Sequence, residues 1–213
     1  MNFNYYNQIN ITDFPSRKIY VLLNKKLRTK LIYLSKIKLK TNKNYDLASY
    51  INKQSSKYGL NSKLNGGDIF FFQLGKRRDN RTNKIHLKSI PLWIIFELIN
   101  LSKVPLNEVH NNILAYRSGG RGNLIFQPKL PILIIPEFES IIFHIFGDGH
   151  AGEFTPSYYQ KNKLNLKQFV TKLKNCFGEF KPYYNHKKFQ VRFPKAITDI
   201  FKYYYKIQSC VVP

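Results

Sequence analysis

The residues best suited to chemistry stand together at the end of one apolar run. Ile141-Ile142-Phe143-His144-Ile145-Phe146 leads into Gly147-Asp148-Gly149, and His150 follows. The spacing predicts a helix that opens at Pro136, carries Glu137 and Glu139 in its first turn where the dipole favours acids, and stops at the glycines. A carboxylate at the C-terminal end of such a helix is opposed by the dipole, by a few tenths to about 1 kcal/mol. A cation held nearby would reverse that sign. The plainer reading is that Asp148-Gly149 only turns the chain after a buried helix. His150 could touch a metal or a phosphate, or be a surface histidine beside a turn. Cys176 and Cys210 have no metal-ligand spacing and read as plain thiols in a reducing interior.

The elements that position these residues belong to a strongly basic chain. Its 213 residues are 43% hydrophobic, enough for a core in one domain or two small ones. Lys+Arg number 35 against 12 Asp+Glu, a formal net charge of +23. A charge of this size concerns partners more than fold. Nucleic acid is the leading partner, because Lys and Arg contacts to phosphates release counterions and dominate affinity. A Lys- and Asn-rich, AT-biased genome is the alternative source of the lysines. The first residues lack the basic start and apolar centre of a secretory signal, and the longest apolar runs are broken by Glu97 and by Pro136, Glu137 and Glu139. The expectation is a cytoplasmic protein with no membrane partner and no small-molecule substrate.

In the first half, Ile19 to Leu23 reads as a strand or a helix start, and Lys25 to Lys40 as an amphipathic helix with a basic outer face. Tyr45 to Ile51 is a short helix and Gly66 to Gly75 a second short element. A basic loop follows with Lys76, Arg77, Arg78 and Arg81. Ser89 is the expected N-cap of the next helix, with Pro91 in its first turn, and Pro105 opens one more turn. This order, LASYI, GGDIFFFQLGKR, SIPLWIIFELINLSKVPLNEV, loosely resembles a Cro/C1-type helix-turn-helix over about residues 44–113. The resemblance implies that the second helix meets the DNA major groove, although here it carries three consecutive phenylalanines. A helical domain of no particular function is the alternative. Residues 114–135, with Gly119-Gly120-Arg121-Gly122 and Pro128-Lys129-Leu130-Pro131, read as a linker. The expected domains are thus 1–113, helical and basic, and 136–213.

In the second half, Glu153 to Lys161 has strand composition and Leu164 to Gly178 is an amphipathic helix with Gly178 as its C-cap. Residues 183–193 form a hairpin and Ala196 to Tyr205 a final helix. With its Gly-Asp-Gly ending and this order, the region 136–207 resembles the αββαββα unit of the LAGLIDADG homing endonucleases. The fold class implied is α+β: a helix-turn-helix-like helical domain followed by a LAGLIDADG domain with a mixed or antiparallel DNA-binding sheet.

That resemblance implies a function and a site. Asp148, with Gly149 beside it, would bind Mg²⁺ or Mn²⁺. Lys195, a basic residue after the last strand, and Gln160, a polar residue that organises water, would assist catalysis. Ser140, Phe143, His144 and Gly147 would form the face that packs against an equivalent helix, where the family usually has Gly or Ala in place of Phe143. Lys161, Lys187, Lys188, Gln190 and Arg192 would contact double-stranded DNA from the sheet, Gln190 and Arg192 at base edges and the lysines at phosphates. Only one motif is present, so an active enzyme would be a homodimer. The termini lack intein splicing residues, which implies a freestanding or intron-encoded protein acting in intron homing. The alternatives are a non-catalytic DNA-binding regulator, a truncated relic of a two-motif enzyme, and an RNA-binding maturase on the same fold.

Overall fold

The computed structural model describes residues 8–78, 85–120, 122–151 and 156–206. It is a mixed α and β structure with antiparallel strand pairing. The chain forms two compact units, one from Ser16–Leu114 and the other from the residues on either side of it. Strand β1 (Gln8–Ile9) therefore belongs to the second unit although it precedes the first. No helix among the described residues is long and apolar enough to cross a membrane.

The first unit opens with β2 (Ile19–Leu23) and α1 (Lys25–Lys38). Asn24 starts α1 by accepting a hydrogen bond from the Leu27 N–H at 2.8 Å, satisfying one otherwise orphaned donor. Leu27, Leu31 and Ile32 form its buried stripe. Helices α2 (Asn44–Gln54) and α3 (Gly66–Leu74) follow and pack on one another through Leu47, Ala48 and Ile51 and through Ile69 and Phe72. The hairpin of β3 (Lys76–Arg78) and β4 (Ile85–Leu87) leads to β5 (Ile90–Pro91), α4 (Leu92–Ser102) and α5 (Leu106–His110). The core of α4 is Leu92, Trp93, Ile94, Ile95 and Leu98, against α1.

Three expectations for this half change. Helix α4 starts at Leu92, not after Ser89, because Ile90 and Pro91 pair with Val21 and Tyr20 of β2. The connection between α2 and α3 runs from Ser55 to Asn65, much longer than the three- or four-residue turn of a helix-turn-helix. It is ordered by the Asn52 side chain, which donates to the Leu64 carbonyl and accepts from the Leu64 N–H, both at 2.8 Å. Residues 114–135, expected as a linker, instead carry β6 (Ile113–Ser118), β7 (Ile125–Phe126) and β8 (Ile132–Leu133). Ala115, Tyr116, Ile125 and Ile132 are buried there, and β8 pairs with β1.

The second unit continues with α6 (Pro136–Gly147), β9 (Gly149–His150), β10 (Ser157–Tyr159), α7 (Lys163–Phe177), β11 (Tyr183–Asn185), β12 (Gln190–Arg192) and α8 (Lys195–Tyr204). The four strands make one antiparallel sheet in the order β11-β12-β10-β9. Phe138 of α6, Phe177 of α7 and Phe201 of α8 meet with ring centroids 4.9–5.8 Å apart. Each such ring pair adds about 0.5–1.5 kcal/mol beyond its buried area. Tyr158 stacks on Phe169 at 4.3 Å, which joins the inner face of the sheet to α7.

Candidate carboxylate site and sheet surface

Helix α6 begins as its sequence dictates, with Pro136 in the first turn and Glu137 and Glu139 beside it. Phe138, Ile141 and Ile145 are buried, a spacing that fixes which side faces the core. The opposite side carries Glu139, Phe143 and Gly147, all exposed. Phe143 is 77% exposed. A Cβ built on Gly147 would meet nothing within 4 Å.

The other two residues expected on this interface are engaged elsewhere. Ser140 is half-buried and accepts a hydrogen bond from Lys172 Nζ at 2.8 Å, which ties α6 to α7. His144 lies edge-on to Tyr158 and Phe169, with its Nδ1 3.3 Å from the Tyr158 hydroxyl. Burial there, helped by the charge of Lys172 and opposed by Asp148, lowers the pKa of the imidazole below its ordinary value. The open face is therefore built on Phe143 and Gly147.

Asp148 is the C-cap of α6 and is exposed. Its N–H donates to the His144 carbonyl at 3.2 Å and its carbonyl accepts from the Tyr159 N–H at 3.0 Å. The carboxylate has no hydrogen-bond or ion-pair partner among the described residues. No group of three or more His, Cys, Asp or Glu that could hold a metal occurs among the described residues. A single carboxylate such as Asp148 could supply one ligand to a Mg²⁺ ion that keeps most of its waters. Among the described residues no second carboxylate, histidine or cysteine group joins it to complete such a site.

Strand register decides which expected residues join Asp148. Gly149 pairs with Tyr158, so the Asp148 carbonyl meets the Tyr159 end of β10, and Gln160 follows directly. The Gln160 N–H donates to the Phe189 carbonyl at 2.9 Å. At this end Tyr159 also pairs with Gln190, and Gln190 with Asn185. The other end holds His150, Ser157, Arg192 and Tyr183. Lys195 starts α8 beyond that second end and is not brought to Asp148 by the ladder.

Alternation gives the sheet two unlike faces. Gly149, Tyr158, Val191 and Tyr184 share one face, and Tyr158 and Val191 are core. The other presents His150, Ser157, Tyr159, Gln190, Arg192, Tyr183 and Asn185. Arg192 lies over the Tyr183 ring at 5.6 Å. Gln190 is only 4% exposed, and its Nε2 donates to the Tyr159 hydroxyl at 2.7 Å. Gln190 Oε1 and Arg192 Nε are both buried without a hydrogen-bond partner. Lys161, Lys187 and Lys188 are exposed around this face, the latter two in the turn joining β11 to β12.

In the first unit, Lys76 and Arg77 are exposed on β3 and Arg78 completes the strand, while Arg81 lies outside the described residues, as do Thr155 and Cys210. Two anchors of the site are not among the expected residues. Lys172 reaches Ser140, and Lys202 Nζ donates to the Ala151 carbonyl at 2.9 Å, just past the Asp148 turn. Nothing in their local sequence marks them, because the pairing is made across elements. No protein-family model matches the chain, and no curated protein matches it.

Proposed function

We propose that the chain is a divalent-metal-dependent, site-specific double-strand DNA endonuclease of the LAGLIDADG homing type, active as a homodimer. The observation that carries this reading is the helix–hairpin–helix–hairpin–helix order of α6 to α8 around one antiparallel sheet, with the exposed Asp148 at the end of α6. The exposed face of Phe143 and Gly147 supports association of two α6 helices, which would bring two Asp148 carboxylates together. Like charges so close need a cation between them. Mg²⁺ or Mn²⁺ bound there would activate water and stabilise the leaving oxygen at a scissile phosphate.

The chain's own contribution follows from the site. Asp148, held by its backbone between α6 and β10, offers the metal ligand. Gln160, next to the residue that bonds the Asp148 carbonyl, orders water. Arg192 reads base edges and Lys161, Lys187 and Lys188 hold phosphates, while Gln190, expected at base edges, is buried and holds the Tyr159 hydroxyl instead. Lys195, at the start of α8, would assist at the water. Intron homing is the role such an enzyme would serve.

A second reading is favoured by one observation. Phe143 is a bulky side chain on the face where two helices would need close approach, and this suits a DNA-binding regulator or a catalytic relic. Incubation with a randomised duplex library, with Mg²⁺ and with EDTA, separates the two. Enrichment of discrete double-strand ends in Mg²⁺ alone supports the endonuclease. Sequence-selective retention without new ends supports the regulator, and retention of structured RNA over duplex DNA supports a maturase.

A further inference from the structure

The corner where α3 enters the β3–β4 hairpin combines exposed aromatic and exposed cationic groups. Ile69 and Phe72 already fill the core side of α3. Phe70 is left 48% exposed, set edge-on to Phe71 with centroids 5.7 Å apart. The Arg77 guanidinium lies over the Phe71 ring at 5.2 Å, and Lys88 Nζ over Phe72 at 5.3 Å. Arg77 and His86 are cross-strand partners, so they share a face of the hairpin, whereas Lys76, the partner of Leu87, lies on its other face.

The corner is built rather than frayed. Gly75 adopts φ +71°, and a Cβ there would lie 2.1 Å from the Arg28 guanidinium. Arg28, itself buried, donates to the carbonyls of Leu23 and Leu74 and so fastens the end of α3. The Lys88 N–H donates to the Gly75 carbonyl at 2.9 Å, closing the root of the hairpin. The nearest acid on α3, Asp68, is spent on the capping box with Asn65.

We propose that this corner is a binding site for unpaired nucleotides, with a base stacked on Phe70 and its flanking phosphate on Arg77. The ligand must be anionic and must also offer a flat apolar face. A duplex presents phosphates but keeps its base faces stacked, so it would engage the cations and leave Phe70 unused. Single strands and looped-out bases offer both groups together. The site lies within the first unit, and it stands whether or not Asp148 cleaves DNA.

The test uses Phe70→Trp, Phe70→Ala and Phe70→Leu in the full chain, titrated with single-stranded oligothymidylate and with a duplex of equal length. The native Trp93 is buried and gives a constant background. Single strand should quench Phe70→Trp emission and duplex should not. Phe70→Ala and Phe70→Leu should each weaken single-strand binding about tenfold, with duplex affinity and the salt dependence unchanged. Arg77→Ala should weaken both ligands. Because Phe70 is half-exposed, thermal melts of the variants should match wild type. Unquenched emission, wild-type affinity in Phe70→Ala and Phe70→Leu, or an equal loss on duplex and single strand would overturn the proposal.

Discussion

A Cβ built on Gly149 would lie 2.3 Å from the carbonyl oxygen of Ile145. The backbone leaves α6 so close to its own last turn that only glycine fits. Gly147, two residues earlier, meets nothing. The glycines on either side of Asp148 therefore have different duties, and substitution separates them. Gly149→Ala should cost about 1–3 kcal/mol, as an overpacked site does. Gly147→Ala should leave stability unchanged or raise it by up to about 1 kcal/mol, because alanine is the better helix former. Gly147→Leu should fold normally yet fail to self-associate if α6 is the contact between copies. Urea denaturation and sedimentation of the three variants read these outcomes.

His144 gives the second unit a pH dependence. Burial among Tyr158 and Phe169 lowers its pKa below the ordinary 6.5. Between the depressed value and the ordinary one, the unfolded chain binds more protons than the folded chain. Stability therefore rises with pH through that window, is complete above it, and falls as the solution is acidified from about pH 6.5. His144→Gln should flatten part of this slope. The first unit contributes a slope of the same sign through His110, which burial also shifts down. Thermal melts of both proteins from neutral to mildly acid pH would show the difference.

Glu97 sits on the core side of α4, 2% exposed, and accepts a hydrogen bond from the Tyr58 hydroxyl at 2.8 Å. Burial and the same contact raise the Tyr58 pKa. Tyr58→Phe removes the donor and keeps the ring against Trp93. It should lower stability by about 1–3 kcal/mol, the cost of leaving a buried acceptor without its donor. Glu97→Gln retains an acceptor and should cost less. Chemical denaturation of the two single variants orders them.

Cys176 is buried, and its thiol is pushed up to about 12 by burial with help from Glu137. The thiolate needed for reaction is nearly absent at neutral pH. In a Cys210→Ser background, native protein should leave a disulfide reagent unreacted, and one thiol should appear on unfolding. Fast labelling of the native form would place this cysteine outside the core.

Long periodic segments are legible in the amino-acid sequence itself. The stripes of α1, α6 and α7 mark their extents to within a residue or two, because apolar spacing and caps such as Gly178 act locally. Short strands are harder to read. Ile90-Pro91 has the residues of a helix start, and only pairing with β2 makes it extended. Glycines and prolines between 119 and 131 mask the buried Ala115, Tyr116 and Ile125 that make β6 and β7 part of a fold. At the site, Asp148 stands out through its neighbours, whereas the direction of His144, the burial of Gln190 and the reach of Lys172 to Ser140 depend on packing across elements. Register also separates Gln160 from Lys195, and no spacing along the chain encodes that.

The central claim is that the Asp148 carboxylate does metal-dependent chemistry on DNA. The direct measurement takes a duplex site cleaved by wild type and compares Asp148→Asn, in Mg²⁺ and in EDTA, for cleavage and for binding at physiological salt. The account predicts that the variant binds the site as wild type does and cuts it at least about a hundredfold more slowly, and that EDTA silences both. Cleavage by Asp148→Asn at the wild-type rate in Mg²⁺, or wild-type cleavage that persists in EDTA, would contradict it.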